Sequence, residues 1–218
     1  MKRRDFLASL SVLPASRVLA ARPGSPGAMP TEQDIKPYRE VATVERYVTR
    51  KLNLAFIAFD CPVSRTFFSA IKRWGDTLPP PWKLQIVPAI TQDLGSVVAN
   101  RTWRTVSTLP GANSAAFATA LFDLVQGQGL ALDNPATYRQ ALRAAGVNAK
   151  AFGVAFQKFE RADFRDAVDA MMTFKVDAVP SLAIGGRFVI TPDQTGENPE
   201  QFIGLANAMM SGVLRGMI

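Results

Sequence analysis

The sequence predicts an α/β fold that carries an all-helical insertion, and three observations support this prediction. A strand–helix–strand pattern occupies residues 52–87. Apolar residues then recur at helical spacing up to about residue 175. Two short apolar runs, joined by Gly185 and Gly186, and one last helix complete the chain. The helical segment therefore lies between two segments that contain strands.

The first segment begins with an almost uninterrupted apolar run over residues 52–59, as expected of a strand covered on both faces. A helix begins near Pro62, because proline is well tolerated in a first helical turn. The alternation over residues 82–87 predicts a second strand. Strand, helix and strand at this spacing predict a right-handed parallel unit. Residues 38–48 are predicted to add an edge strand.

Asparagines mark several predicted helix starts in the rest of the chain. Asn113, Asn134 and Asn148 each precede a helical pattern, as N-cap residues do. The Gly185-Gly186 pair predicts a tight hairpin. A further helix is predicted to run through Phe164, Val168 and Met172. The last helix begins at Asn198-Pro199, and its predicted buried side comprises Phe202, Ala206, Met209 and Val213.

The composition excludes several kinds of chemistry. The chain has 218 residues, with one Cys and no His. Without histidine there is no Ser-His-Asp triad, no Cys-His nucleophile pair and no histidine metal site. One cysteine cannot build a zinc ribbon, an iron–sulfur cluster or an internal disulfide. Of the net charge of +7, the first 21 residues carry +3, and the remaining positive charges are scattered along the chain. We therefore expect no nucleic-acid partner, and no cofactor is implied.

Residues 1–21 are predicted to be a signal peptide. A basic head, a short apolar stretch and small residues before a cleavage point are typical of secretory signals. Arg3-Arg4-Asp5-Phe6-Leu7 resembles the twin-arginine export motif, so we expect a periplasmic protein. The alternative is an amphipathic first helix of the fold. Residues 22–37 are predicted to be a flexible leader, and no stable membrane insertion is expected.

Motifs that follow one another along the chain resemble those of DsbA, a family of periplasmic thiol–disulfide oxidoreductases. Phe59-Asp60-Cys61-Pro62-Val63-Ser64 stands where that family has Phe-X-Cys-Pro-His-Cys. Val179-Pro180 stands where it has a Val-Pro loop, and Gly185-Gly186 where it has a hairpin. The resemblance implies a thioredoxin fold with an inserted all-helical domain. The fold would comprise residues 38–94 and 176–218, with the insertion at residues 95–175.

The resemblance also implies a peptide-binding site. In that family the proline matching Pro180 is cis and lies beside the thiol, and Val179 would pair its backbone with an extended client peptide. Phe59 and Val63 would supply apolar surface to the same peptide. The alternative at Pro180 is an ordinary trans proline that begins a strand.

The motif departs from the family where the second cysteine would stand, because this position is Ser64. With no partner sulfur, the chain cannot store an internal disulfide and cannot donate one. Cys61 and Ser64 are the predicted catalytic residues. Val63 replaces the histidine that stabilises the family's thiolate, and Asp60 opposes a thiolate by charge repulsion. The helix N-terminus and Ser64 favour it, so we expect a sluggish thiol.

Two functions fit this pattern. In the first, Cys61 is a monothiol nucleophile that reduces or rearranges disulfides of exported client proteins through a mixed disulfide. In the second, the protein is a redox-inactive binding or assembly module that holds an extended peptide beside Pro180. A homodimer linked through Cys61 is a third alternative in an oxidising compartment. The sequence leaves the oligomeric state open.

Overall fold

The structure is a computed structural model that describes residues 36–158 and 161–217. The described residues form five strands, β1 to β5: Arg39–Glu40, Leu52–Ile57, Lys83–Pro88, Ser181–Ile184 and Phe188–Ile190. They also form eight α-helices, α1 to α8: Glu45–Thr49, Pro62–Asp76, Leu94–Thr108, Ser114–Phe122, Pro135–Ala144, Ala149–Gln157, Arg161–Thr173 and Pro199–Arg215. A π-helical turn, Asp123–Gly127, continues α4, and a 3-10 turn, Pro192–Thr195, precedes α8.

The strands form one mixed sheet in the order β1-β5-β4-β2-β3. Strands β2 and β3 are parallel, with Leu52 opposite Lys83, which confirms the predicted strand–helix–strand unit. The β4–β5 hairpin is antiparallel, and β4 pairs antiparallel with β2. Gly185 and Gly186 have φ angles of 62° and 69°, a left-handed conformation that favours glycine in a tight hairpin.

Both faces of the sheet are covered, so its central strands are buried on both sides. Ala55 and Ile57 of β2 pack on one face, together with residues of α2, α8 and the helices between β3 and β4. Leu54 and Phe56 pack on the other face, in a smaller core with Tyr47 of α1 and residues of α7. This explains the continuous apolar run, since successive side chains of a strand point to opposite faces.

The predicted helix starts are confirmed by side-chain caps. The Oδ1 atoms of Asn113, Asn134, Asn148 and Asn198 accept backbone N–H groups of the helices that follow, each at 2.9 Å. Such caps satisfy amides that have no partner inside a helix. The predicted buried side of α8 is largely confirmed, with Phe202, Ala206 and Met209 buried and Val213 half-buried.

One prediction of local structure is wrong. The predicted edge strand over residues 38–48 is a strand at Arg39–Glu40 followed by helix α1. The helix predicted to run through Phe164, Val168 and Met172 is confirmed as α7. Val168 and Met172 are exposed on it, Met172 by 72%, and Ala167 and Ala170 are buried in the smaller core.

The predicted signal peptide and most of the predicted leader, residues 1–35, lie outside the described residues. Within the described ranges, no helix is both long enough and apolar enough to cross a bilayer.

Candidate thiol site

Cys61 lies at the N-terminus of the 15-residue helix α2, directly after β2 ends. Its backbone is extended, with φ −88° and ψ 118°, and its N–H donates to the Ala58 carbonyl at 3.2 Å. Pro62 occupies the first helical position, where a missing N–H costs nothing. The Ser64 N–H donates to the Cys61 Sγ at 3.5 Å. The sulfur is therefore the N-cap acceptor of α2, at the positive end of its dipole.

The sheet register brings Cys61 and Pro180 together. Phe56 of β2 lies opposite Ser181 of β4, so the residues after β2 and those before β4 meet at the same end of the sheet. The Cys61 thiol donates to the Val179 carbonyl, with Sγ and oxygen 3.3 Å apart. The Val179–Pro180 peptide bond is cis. The Cys61 sulfur and the loop that contains Pro180 therefore form one site.

Comparison with known proteins supports the fold directly. The chain superposes on the crystal structure of Pseudomonas aeruginosa DsbA with a TM-score of 0.70 and 19% identity, over 85% of this chain and 98% of that one. DsbA from Proteus mirabilis gives a TM-score of 0.66 and 18% identity, over 84% and 100%. The oxidoreductase NmDsbA1 from Neisseria meningitidis gives 0.61 and 18%, over 82% and 93%. This chain has the DsbA fold.

The predicted thioredoxin fold with an inserted helical segment is therefore confirmed, as is the structural resemblance to DsbA proteins. No protein-family model matches the sequence, and no curated protein matches it.

The DsbA fold places the other predicted site residues at different depths. Val63 and Val179 are half-buried, like Cys61, while Pro180 is buried. Phe59 is 1% exposed and packs against Phe122, with ring centroids 4.9 Å apart. The prediction that Phe59 offers surface to a peptide is wrong, because its ring belongs to the core between the sheet and the inserted helices.

Ser64 contacts the sulfur through its backbone rather than as a hydroxyl donor. Its side chain is fully buried, and its Oγ accepts the Ala58 N–H at 3.2 Å. The hydroxyl thus closes the turn between β2 and α2 from inside. A direct catalytic role for the Ser64 hydroxyl stays a prediction.

Sequence reasoning missed Gln126, which lies in the π-helical turn of the insertion. Its Nε2 donates to the carbonyls of Phe59 and Cys61, at 2.8 and 3.0 Å. A second link joins the same turn to α2, an ion pair between Asp123 and Arg65. The insertion therefore holds the Cys61 turn by its backbone. The sequence offered only a weak signal for Gln126, since it is one amide side chain at the end of an apolar helix.

The charged groups nearest the thiol are exposed. Asp60 precedes Cys61 and is solvent-exposed, as are Arg65 and Asp123 of the ion pair. Exposed charges are screened by water and salt, so they act weakly on the sulfur compared with the helix amide at 3.5 Å. Among the described residues, no group of three or more Cys, Asp or Glu side chains is arranged to hold a metal ion.

Proposed function

We propose that this protein is an exported thiol:disulfide interchange protein that acts as a monothiol through Cys61. The observation that carries the proposal is the contact between the Cys61 Sγ and the Val179 carbonyl, beside a cis prolyl bond and at a helix N-terminus. One cysteine in the whole chain limits the chemistry to exchange through mixed disulfides.

The reaction begins when the Cys61 thiolate attacks one sulfur of a client disulfide. A bond forms between that sulfur and Cys61, and the other client sulfur leaves as a thiolate. A second thiolate, from the client or from a small thiol, then attacks the client sulfur of the mixed disulfide and releases Cys61 as a thiolate. When the client supplies it, a disulfide is rearranged without net oxidation. When a small thiol supplies it, the client is left with one free thiol and one mixed disulfide to that small thiol. A second small-thiol thiolate then releases the second client thiol, so the client disulfide is reduced and two small thiols are oxidised to their disulfide.

The Val179 backbone is suited to hold the client as an added strand. Within the described part of the chain, the Val179 N–H donates no hydrogen bond, and its carbonyl accepts only the weak thiol donor. An extended client segment supplies a carbonyl and an N–H to these two groups. The client N–H then replaces the thiol at the Val179 oxygen, which frees the Cys61 sulfur from its hydrogen bond within the chain. Client binding and access to the sulfur are thereby coupled.

The Ser64 amide and the dipole of α2 both act to stabilise a thiolate at Cys61. A backbone N–H that donates to sulfur favours the thiolate over the thiol. The N-terminus of a helix adds a partial positive charge at the same position. Neither effect requires a second ionisable residue, which suits a chain without histidine.

A redox-inactive binding module is the second candidate function. The same thiol–carbonyl contact favours it, because the half-buried thiol has a hydrogen-bond acceptor within the chain itself. In this case Val179 and Pro180 hold an extended peptide, and Cys61 only fills space in the turn.

An exchange assay on a disulfide-scrambled substrate protein in glutathione buffer distinguishes the two functions. We expect the full chain to accelerate recovery of the native pairing, and the Cys61→Ala variant to lose that acceleration while staying folded. Ser69→Ala, an exposed substitution on α2, is the matched control. Two results would exclude the monothiol function and favour the binding module. One is an equal rate for the parent protein and Cys61→Ala, and the other is a Cys61 that iodoacetamide never labels in the folded protein.

Export is tested separately through the twin-arginine motif. We propose that this motif, in residues 1–21, directs the protein to the periplasm. Arg3→Lys with Arg4→Lys preserves the charge of the N-terminal segment while removing both arginines. We expect the double variant to remain in the cytoplasmic fraction, whereas Lys2→Arg is exported. Normal export of the double variant contradicts the twin-arginine route.

A further inference from the structure

The outer edge of β3 is a second feature with unpaired backbone groups. Strand β3 is the last strand of the sheet, so one of its edges has no strand neighbour. Its bonds to the chain of β2 alternate: Lys83 N–H donates to Lys51 and Ala89 N–H to Ile57, at 2.9 and 2.7 Å. The backbone groups of Leu84, Ile86 and Pro88 therefore point away from the sheet.

Helix α3 caps part of this edge but leaves the rest open. The Trp103 indole donates to the Ile86 carbonyl at 3.0 Å, and the Asn100 amide donates to the Pro88 carbonyl at 2.6 Å. Within the described residues, the Leu84 N–H, the Leu84 carbonyl and the Ile86 N–H have no hydrogen-bond partner in the chain. These three groups alternate as donor, acceptor and donor, which is the pattern that an added strand needs.

A groove of about 450 Å³ gives access to these groups. Leu84–Ile86 line its floor, and the C-terminal halves of α2 and α3 form its walls. A second, more polar cavity of about 210 Å³ adjoins it, and the two share Leu52, Gln85 and Arg104.

The charge around this edge is predominantly positive. Five cationic side chains and two carboxylates line the two cavities: Arg46, Arg50, Lys72, Lys83 and Arg104, with Asp76 and Asp166. Lys72 is paired with Asp76. Among the described residues, Lys83, Arg46 and Arg50 are in no ion pair, and Lys83 and Arg50 are exposed. An anionic side chain that reaches this edge therefore meets three cations that are in no ion pair, although Asp166 lines the second cavity together with Arg46 and Arg50.

We propose that an extended acidic segment of a partner protein adds to β3 at Leu84–Ile86. Its backbone supplies the complementary carbonyls and N–H group, and its Asp or Glu side chains face Lys83, Arg46 and Arg50. The open edge spans three residues, roughly 10 Å, so a segment of about four residues covers it.

The β3 edge is separate from the thiol site. Leu84 lies beside Asn53 at the start of β2, whereas Cys61 follows the end of that strand. The proposal therefore does not depend on thiol exchange, and a Cys61→Ser variant is expected to bind the acidic segment unchanged.

Titration of the full chain with synthetic peptides tests the proposal. Backbone amide NMR shifts locate the binding site, and the fluorescence anisotropy of a labelled peptide measures the affinity. The probe is an eight-residue peptide of alternating valine and glutamate. We expect its largest shifts at Leu84–Ile86. The same peptide N-methylated at alternate residues keeps the charge but loses backbone donors, and the valine–lysine peptide reverses the charge. Both are expected to bind at least tenfold more weakly.

Variants localise the interaction without altering the β2–β3 ladder. Lys83→Glu with Arg50→Glu is expected to weaken binding by roughly fivefold or more, because each surface charge pair contributes modestly. Lys150→Glu, an exposed change on α6, is the matched control. Leu84→Pro removes one outward donor and leaves the bonds to β2 intact. If Leu84→Pro fails to fold, the charge-reversal variants still test the proposal.

Three results would overturn the proposal. Equal affinity of the N-methylated peptide excludes strand addition, and equal affinity of the valine–lysine peptide excludes the charge selectivity. Shifts confined to residues near Cys61 and Pro180 assign the peptide to the thiol site instead. If sedimentation shows that the chain pairs with itself through β3, the occupant is a second copy and not an acidic partner.

Discussion

At the scale of single residues, Ser64 is the position that separates this chain from a dithiol protein. Its amide lies 3.5 Å from the Cys61 Sγ, and its side chain is buried beneath the turn. We expect Ser64→Cys to form a reversible disulfide with Cys61 under mild oxidation and to oxidise a reduced test protein. Mass spectrometry after alkylation measures the loss of both thiols. The substitution removes the acceptor of Ala58 N–H, at a cost of about 1 kcal/mol.

Ser69→Cys is the control for this prediction, because residue 69 is exposed on the same helix. Eight residues of helix rise by roughly 12 Å, which no disulfide spans. Two thiols that remain free in Ser64→Cys under conditions that oxidise ordinary dithiols would contradict the expected geometry.

Gln126 is expected to act as a positioning residue for the thiol. Gln126→Ala removes two hydrogen bonds to the carbonyls of Phe59 and Cys61. Each bond contributes about 0.5–1.5 kcal/mol, so unfolding by urea should show a loss of about 1–3 kcal/mol. We also expect the pH profile of Cys61 alkylation to change, which a purely structural loss elsewhere would not cause. Gln128→Ala, at an exposed neighbour, should leave both measurements unchanged.

The thiol and the prolyl loop could be predicted from sequence because their motifs are local. Cys61-Pro62 marks a strand-to-helix turn, and Val179-Pro180 directly precedes a strand. Gln126 could not be predicted in this way, since its partners lie more than sixty residues away. Phe59 was misplaced for a related reason: an apolar residue at the end of a buried strand has the same local pattern whether it faces solvent or an inserted helix.

At the scale of elements, helix α7 shows the limit of apolar periodicity. The large residues Val168 and Met172 mark one stripe, but the helix packs through Ala167 and Ala170, with Phe174 just beyond its end. A pattern that weights residues by size therefore selects the wrong face. Which face of a helix is buried becomes visible only once the partner surface is known.

The short edge strand β1 depends on an exposed charge network. Hydrogen bonds from Lys36, and then from Arg187, lower the pKa of Glu40 below its ordinary value. Arg187 directly precedes β5, the partner strand of β1, so the Glu40–Arg187 pair, at 2.9 Å, joins the two. The carboxylate therefore contributes stability above its unfolded pKa, and this contribution is lost as the pH falls through the lowered folded value.

Glu40→Gln should accordingly be less stable than the parent protein near neutral pH. We expect the two proteins to converge only as the pH falls through the lowered folded pKa of Glu40, below which the carboxyl is protonated in both the folded and the unfolded chain. Urea unfolding at a series of pH values measures the difference. Glu45→Gln is the control, at an exposed glutamate of α1. A difference that persists unchanged at pH 2.5 would show that Glu40 stabilises β1 without its charge.

At the scale of the whole molecule, the order of elements could be predicted but the order of strands could not. Strand, helix, strand, helical segment and hairpin follow from local patterns along the chain. The placement of β4 between β2 and β5 depends on which apolar faces meet across the sheet. That pairing sets Phe56 opposite Ser181, and with it the distance between Cys61 and Val179. The site is thus a property of the assembled sheet.

The inserted helices and the sheet share one continuous core, so we expect them to unfold together. Phe122 of α4 is 2% exposed and lies against Phe59 and Phe68, with ring centroids at 4.9 and 5.5 Å. Phe122→Ala should lower the free energy of unfolding by about 3–5 kcal/mol. Because Phe59 lies two residues before Cys61 and packs on Phe122, the variant should also speed Cys61 alkylation in the folded protein.

Tryptophan fluorescence and far-UV circular dichroism, followed through the same denaturant titration, test this expectation. Coincident transitions in the parent protein and in Phe122→Ala are expected of one cooperative unit. Val154→Ala, at a side chain 51% exposed on α6, is the control and should change stability by less than about 0.5 kcal/mol. Transitions that do not coincide in the parent protein would contradict one cooperative unit and would leave room for an insertion that folds independently. The Cys61 turn would then keep its geometry without the helices that Gln126 joins to it.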